Sequence, residues 1–224
     1  MEFPTGCSSL DSLLKGGYRR GTLNLVYGEA AAGKTTFALT LAFNNLERNS
    51  RLNAYYIDSD GKLSTDRMTQ ISKTEESLKR LRVRRPLSFS EQAEIIETLP
   101  QNLERDDLLV IDSITGLYRL ETGDAPKTFR SNKELNRQLG YLKEISLKIG
   151  IAEVITGQVR SIFDDGDGIE PVAPRLLRFW SDTIIKLEDT SYPNIRQATL
   201  EKPSGGGACY IEIVNSGIEE VEEL

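Results

Sequence analysis

The eight residues Gly28-Glu-Ala-Ala-Ala-Gly33-Lys34-Thr35 constrain this chain more than any other stretch, because they match G-x-x-x-x-G-K-[ST] in full. An apolar run from Thr22 to Tyr27 leads into the motif. Good helix formers from Lys34 to Leu46 lead out of it, with Phe37, Leu39, Leu41 and Phe43 among them. That context predicts a strand, a tight turn and a helix. The glycines permit the turn, whose backbone N–H groups wrap a β-phosphate with the helix N-terminus behind them. Gly28, Glu29, Ala30, Ala31, Ala32, Gly33, Lys34 and Thr35 are therefore expected to hold a nucleotide. Lys34 would reach the β/γ oxygens, and the Thr35 hydroxyl would ligate Mg²⁺.

The remaining pattern alternates strands with helices, which predicts an α/β fold with a mostly parallel sheet flanked by helices. Apolar runs at Asn53–Asp58, Asp107–Asp112 and Ile151–Thr156 read as buried strands. Residues 64–81 read as a helix with an interruption, and Arg82–Phe89 as an edge strand that tolerates Pro86. Glu91–Leu103 reads as a helix ended near Pro100, and Asn132–Lys148 as a helix with Leu135, Leu139, Leu142 and Ile145 on one face. Thr183–Leu187, Gln197–Leu200 and Cys209–Val214 read as a C-terminal antiparallel set. No repeat or low-complexity linker divides the chain, so residues 1–224 are expected to form a single domain ending in a short acidic tail, 219–224.

Asp112 closes the run Leu108-Leu-Val-Ile-Asp, where a carboxylate stands beside the phosphate loop and orients Mg²⁺ through water. Asp58 and Asp60, at the end of another strand, are the acidic candidates for polarising a water molecule. Gln158, just past the strand ending at Thr156, is a candidate sensor of the γ-phosphate. ATP with Mg²⁺ is thus the expected cofactor pair. Histidine is absent, which excludes imidazole ligation, a Ser-His-Asp triad and a His proton shuttle. Cys7 and Cys209 lie far apart without a C-x-x-C, which argues for a reducing, cytoplasmic location and against a cysteine-based zinc site. No apolar run is long enough to cross a membrane. The net charge is −6, and the last six residues carry four of the negatives, so the rest stands at −2. Any polyanion would have to be met by local patches.

Taken in order, these motifs resemble the RecA-like recombinase superfamily. The resemblance begins at Pro4-Thr-Gly-Cys-Ser-Ser-Leu-Asp-Ser-Leu-Leu-Lys-Gly-Gly17. It continues through Lys34-Thr-Thr36, Tyr56-Ile-Asp-Ser-Asp-Gly61, Ile111-Asp-Ser-Ile-Thr115, Tyr118-Arg119, Ile155-Thr-Gly-Gln-Val159 and Gly217-Ile218. It implies a RecA-like P-loop NTPase core with C-terminal antiparallel strands, and adds Thr36 to the nucleotide-binding residues. It also implies that Asp60 occupies the place of a catalytic glutamate, that Arg67 stacks on adenine, and that Gln158 senses the γ-phosphate. Residues 121–131 and 159–177 would be two DNA-binding loops, with Arg119, Lys127, Arg130 and Arg160 as candidate DNA contacts.

The chain departs from that pattern in three places. Aspartate at 60 is one methylene shorter than glutamate, and a displacement of about 1 Å costs on the order of 10²-fold in rate, so hydrolysis is expected to be slow. The second loop carries Asp164, Asp165, Asp167 and Glu170 against Arg160 and Arg175, which opposes a phosphate backbone there. The helical DNA-binding domain and docking linker that precede the core in strand-exchange recombinases have no counterpart in these residues. Lys79-Arg-Leu-Arg-Val-Arg-Arg85 either guards a sheet edge or meets DNA or an acidic partner.

The expected function is an ATP-binding, weakly hydrolysing protein of DNA repair and homologous recombination. It would bind DNA modestly, chiefly as single strands, and assist a full-length recombinase. The alternative is a nucleotide-gated interaction module, or a KaiC-like regulatory ATPase, without direct DNA function.

Overall fold

The computed structural model describes residues 2–162 and 168–221. A short N-terminal unit comes first: β1 (Glu2–Phe3), α1 (Ser8–Leu13) and β2 (Tyr18–Arg19), with β1 and β2 antiparallel. The core then alternates β3 (Thr22–Gly28), α2 (Lys34–Arg48), β4 (Ala54–Asp58), α3 (Thr65–Ile71), α4 (Glu75–Arg80), β5 (Leu81–Arg84) and α5 (Phe89–Thr98). It continues with β6 (Leu108–Asp112), α6 (Gly116–Glu121), α7 (Ala125–Ile145) and β7 (Ala152–Gly157). A hairpin of β8 (Val159–Ile162) and β9 (Gly168–Pro171) and the helix α8 (Pro174–Trp180) follow. The chain closes on β10 (Thr183–Asp189), β11 (Ile195–Lys202), β12 (Ala208–Val214) and β13 (Gly217–Glu220).

Among the described residues nine strands share one sheet, in the order β13-β12-β11-β10-β3-β7-β6-β4-β5. From β10 to β5 every neighbour is parallel, and from β10 to β13 every neighbour is antiparallel. Because side chains alternate along a strand, each central strand feeds two cores. Val26, Tyr56, Val110 and Val154 face α2 on one side, with Phe37, Leu41 and Phe43 packed among them. Leu25, Ile57, Leu109, Ile111 and Ile155 face the other side, against Leu135, Leu139 and Leu142 of α7. With both faces covered, β4, β6 and β7 are buried almost throughout, as their unbroken apolar runs require. The chain after β3 turns to one face and the chain after β6 to the other, so a crevice opens at the carboxyl ends of the strands.

The expected mostly parallel sheet with antiparallel C-terminal strands is present, with several boundaries moved for identifiable reasons. The interrupted helix is two helices, because Thr74 accepts from Ser77 N and starts a second one. The edge strand stops at Arg84. Ser88 then caps α5 by accepting from Glu91 N, while the Glu91 carboxylate reaches back to Leu87 N. Residues 121–131 are not a loop: Asp124 accepts from Lys127 N and Pro126 stands in the first turn, so α7 begins at Ala125. Of the described residues in 159–177, Val159–Ile162 and Gly168–Pro171 are the paired strands β8 and β9, and α8 starts at Pro174. Thr183–Leu187 belongs to a strand that pairs parallel with β3 as well as antiparallel with β11. Glu219 and Glu220 of the acidic tail are in β13. Asp164, Asp165, Asp167, Glu222 and Glu223 lie outside the described residues.

Candidate active site

The turn between β3 and α2 lies at the centre of the crevice. Gly33 adopts φ 91°, which glycine reaches without strain, and its carbonyl accepts from Phe37 N to open α2. Gly28 lacks a side chain for another reason: a Cβ there would stand 2.4 Å from the Leu187 carbonyl oxygen of the neighbouring strand. The two glycines at the ends of the motif thus let the chain turn tightly against β10. Lys34 folds over this turn and donates from Nζ to the carbonyls of Gly28 (2.9 Å) and Glu29 (2.6 Å). Burial pushes its ammonium below the usual lysine range, while Asp112 and Asp60 pull it back up.

Asp112, at the end of β6, is the acceptor on which the site converges. It accepts from the Thr35 hydroxyl at 2.6 Å, from the Tyr56 phenol at 2.7 Å and from the Thr156 hydroxyl. Burial beside Asp112 holds the Tyr56 phenol well above its ordinary range, so it remains a donor. The ladder β4–β6–β7 accounts for this convergence: Asp58 pairs with Asp112, and Thr156 lies one residue beyond the Ile111–Ile155 pair. Thr35 and Asp112 offer hard oxygen donors at the phosphate turn, the chemistry that Mg²⁺ prefers. Among the described residues no group of three or more His, Cys, Asp or Glu forms a metal cage. Mg²⁺ commonly keeps one or two protein ligands and takes the rest from substrate phosphates and water, and this donor set fits that pattern.

Asp58 and Asp60 take different roles. Asp58 is buried and accepts from Lys62 N (3.0 Å) and Leu63 N (3.1 Å), so it closes a turn rather than facing the crevice. Asp60 opens into the crevice. Its carboxylate accepts from Ser113 Oγ at 2.9 Å and from Gln158 Nε2 at 3.1 and 3.2 Å. Lys62 Nζ stands 3.5 Å away. Gly116 leaves room for it: a Cβ at 116 would lie 2.0 Å from Asp60 Oδ1. Gln158 is held in turn by Arg119, which donates from Nη1 to Oε1 at 2.7 Å, and its backbone N donates to Thr115 Oγ1.

A cavity of about 760 Å³ joins these groups, lined by residues of the 28–36 turn with Asp60, Asp112, Arg119 and Gln158. Arg119, a candidate DNA contact, lines this same cavity. Arg67 does not line it. Its guanidinium donates to Thr36 Oγ1 and to the carbonyls of Val214 and Asn215, tying α3 to the start of α2 and the end of β12. Lys127 and Arg130 line a second cavity of about 560 Å³ between α5 and α7, shared with Glu94, Glu121 and Glu134. Arg160 pairs with Glu170 across the β8–β9 hairpin at 2.7 Å. Within the basic stretch, Arg80 donates to the carbonyls of Leu46, Asn49 and Leu52 at the end of α2, and Arg85 to Gly61 O. Arg82 and Arg84 remain exposed on the edge strand β5, and Lys79 is exposed on α4. Lys202 donates to the carbonyls of Arg178 and Ser181.

Sequence reasoning missed Tyr56, Ser113, Thr115 and Thr156 as members of the site. A polar residue one or two positions from a strand end was the available signal, but using it required knowing that β4, β6 and β7 are neighbours.

The fold and site define a P-loop nucleoside triphosphatase core of RecA type: phosphate turn, strand-end aspartate and helices on both faces of a mostly parallel sheet. A model of the Rad51 family matches residues 1–220. The chain is 37% identical over 220 residues to the DNA repair and recombination protein RadB of Methanosphaera stadtmanae, covering 94% of this chain and 93% of that one. It is 35% identical over 226 residues to RadB of Halobacterium salinarum, covering 96% and 94%. A solved structure titled as the RadB recombinase superposes with TM-score 0.82 at 32% identity, covering 98% of this chain and all of that one. This chain belongs to the Rad51 family, whose members are ATPases. Among the described residues no helix is long and apolar enough to cross a membrane.

Proposed function

We propose that this chain binds Mg·ATP, hydrolyses it slowly, and acts in DNA repair and homologous recombination by assisting a full-length recombinase. The observation that carries the reading is a single cavity holding the phosphate turn, Asp112 and the Asp60–Gln158 pair. Thr35 and Asp112 would hold the metal, which neutralises phosphate charge when bound. Lys34 would release its two carbonyl partners to the phosphates, Asp60 would accept a proton from water, and Gln158 would meet the terminal phosphate. No covalent intermediate is needed, because phosphoryl transfer proceeds by positioning and charge neutralisation.

Slow turnover is supported by the state of Asp60. Both of its oxygens already carry donors, from Ser113, Gln158 and Lys62, before any water arrives. Modest DNA binding is supported by the surface. Arg160 is paired with Glu170, and Lys127 and Arg130 share their cavity with glutamates. The same mixed cavity favours the second reading, in which nucleotide gates contact with a protein partner. Exposed Leu120 and Phe129 stand in the same two helices that contribute Glu121, Lys127 and Arg130.

The test is phosphate release from Mg·ATP with and without single-stranded DNA, using Lys34→Ala as the blank. Slow wild-type turnover that rises in Asp60→Glu and is stimulated by DNA is the expected result. No release above the blank in either protein, despite measurable ATP binding, overturns hydrolysis and leaves the nucleotide-gated module.

A further inference from the structure

Gln158 stands between two groups that fix which way its amide faces. Arg119 offers only donors, and the carboxylate of Asp60 offers acceptors. With Oε1 on Arg119 and Nε2 on Asp60, both ends of the amide are satisfied. The reversed amide would set N–H against N–H at one end and oxygen against oxygen at the other. The short helix α6 holds Gln158 at two points: Thr115, its N-cap, accepts from the backbone N, and Arg119, in its last turn, donates to the side chain. Gly116, the first residue of α6, sits against the Asp60 carboxylate.

We infer that Arg119 is a positioning residue of the nucleotide cycle: it fixes the N–H edge of Gln158 toward Asp60 and transmits displacement of that amide to α6. This rests on reading the cavity as an ATP site. A terminal phosphate brings acceptor oxygens to the Nε2 side only, where they compete with Asp60 for the same N–H. The amide then shifts toward the phosphate, and Arg119 and Thr115 carry α6 with it. Leu120, next to Arg119, is 80% exposed, and only three residues separate α6 from α7, which carries Phe129, 72% exposed. The surface that α6 presents is therefore set by whether the third phosphate is present.

The experiment uses the full chain and three readouts. Binding of fluorescent ATP and ADP analogues comes first, then steady-state phosphate release, then hydrogen exchange of residues 116–131 in Mg·ATPγS against Mg·ADP. Wild type is expected to exchange differently in the two nucleotides over that segment. In Arg119→Ala the difference disappears, and kcat falls about tenfold with the loss of a charge-assisted hydrogen bond. KM is expected to stay within about threefold, since the lost interaction does not bind ground-state nucleotide. Arg119→Lys keeps one donor and restores part of both effects. Arg119→Met keeps the aliphatic stem and repeats the alanine result if loosening of α6 is not the cause.

A nucleotide-dependent difference that persists in Arg119→Ala and Arg119→Met overturns the inference. So does its absence in wild type when both nucleotides bind. If wild type binds neither nucleotide, the ATP-site reading itself fails at the first step, and this inference with it.

Discussion

Substitution of Gly116 by alanine separates the geometry of the Asp60 carboxylate from its chemistry. Gly116 opens α6, and its backbone is not in the left-handed region, so alanine adopts the same conformation and favours the helix. The added methyl group nevertheless has nowhere to go. Its carbon would stand 2.0 Å from Asp60 Oδ1 and 3.2 Å from Ser113 Oγ, and real Cβ atoms do not approach within 3.0 Å of a neighbour. The Asp60 side chain rotates more cheaply than the sheet moves, so its carboxylate retreats by about 1 Å, a misplacement that costs on the order of 10²-fold when it falls on a reacting group. Gly116→Ala should therefore melt at or slightly above the wild-type temperature and bind the ATP analogue with wild-type affinity. Its phosphate release should fall about a hundredfold, close to the level of Asp60→Ala. Thermal melting, analogue titration and phosphate release on the three proteins complete the assay. Wild-type turnover in Gly116→Ala, beside a strong loss in Asp60→Ala, would refute the argument that this carboxylate works from the position it now occupies.

Three further outcomes follow from the same contacts. Burial raises the Glu153 carboxyl well above its ordinary 4.5, opposed by Lys143 and reinforced by Asp182, and among the described residues both carboxyl oxygens lack a hydrogen-bond partner. The folded state keeps a proton that the unfolded chain releases, so this group's contribution is full below about pH 4.5 and is lost as pH rises toward the folded value. Glu153→Gln should remove that slope and stabilise the protein at neutral pH; parallel pH profiles of denaturation midpoint for the two proteins would contradict this. Tyr56→Phe removes a buried donor to Asp112 and should lower apo stability by about 1.5 kcal/mol in urea unfolding. Equal stability would mean that the phenol contributes nothing there. Glu170→Gln frees Arg160, so single-stranded DNA binding should strengthen and its salt dependence steepen by about one in slope. An unchanged slope would place Arg160 away from DNA.

The parts of the site carried by a continuous stretch were legible in the sequence. The phosphate turn, its lysine and threonine, and Asp112 follow from one motif and one apolar run. Gln158 and Asp60 were legible as candidates, and the structure brings them into contact. What was not legible depended on strand order. Tyr56 and Thr156 converge on Asp112 only because β4 and β7 flank β6, and Arg119 reaches Gln158 only because α6 returns over the end of β7. The two stretches expected as DNA-binding loops read as loops because their helix and strand signals are short: one capping aspartate, one proline, and two four-residue strands. Only the resemblance told Asp60 from Asp58, and the turn at Lys62 and Leu63 supplies the physical difference by occupying Asp58.

Ile213 lies against the turn at Gly33, Arg67 is fastened to Val214 and Asn215, and Thr40 of α2 accepts from Ile218 N. The phosphate turn is encoded early, yet part of its bracing comes from residues 213–218. A nascent chain emerging N-terminus first therefore carries an unfinished nucleotide pocket until residues 213–218 have been made. The bracing of the pocket is completed only when β12 and β13 join the sheet, so the antiparallel strands and the phosphate turn mature as one unit.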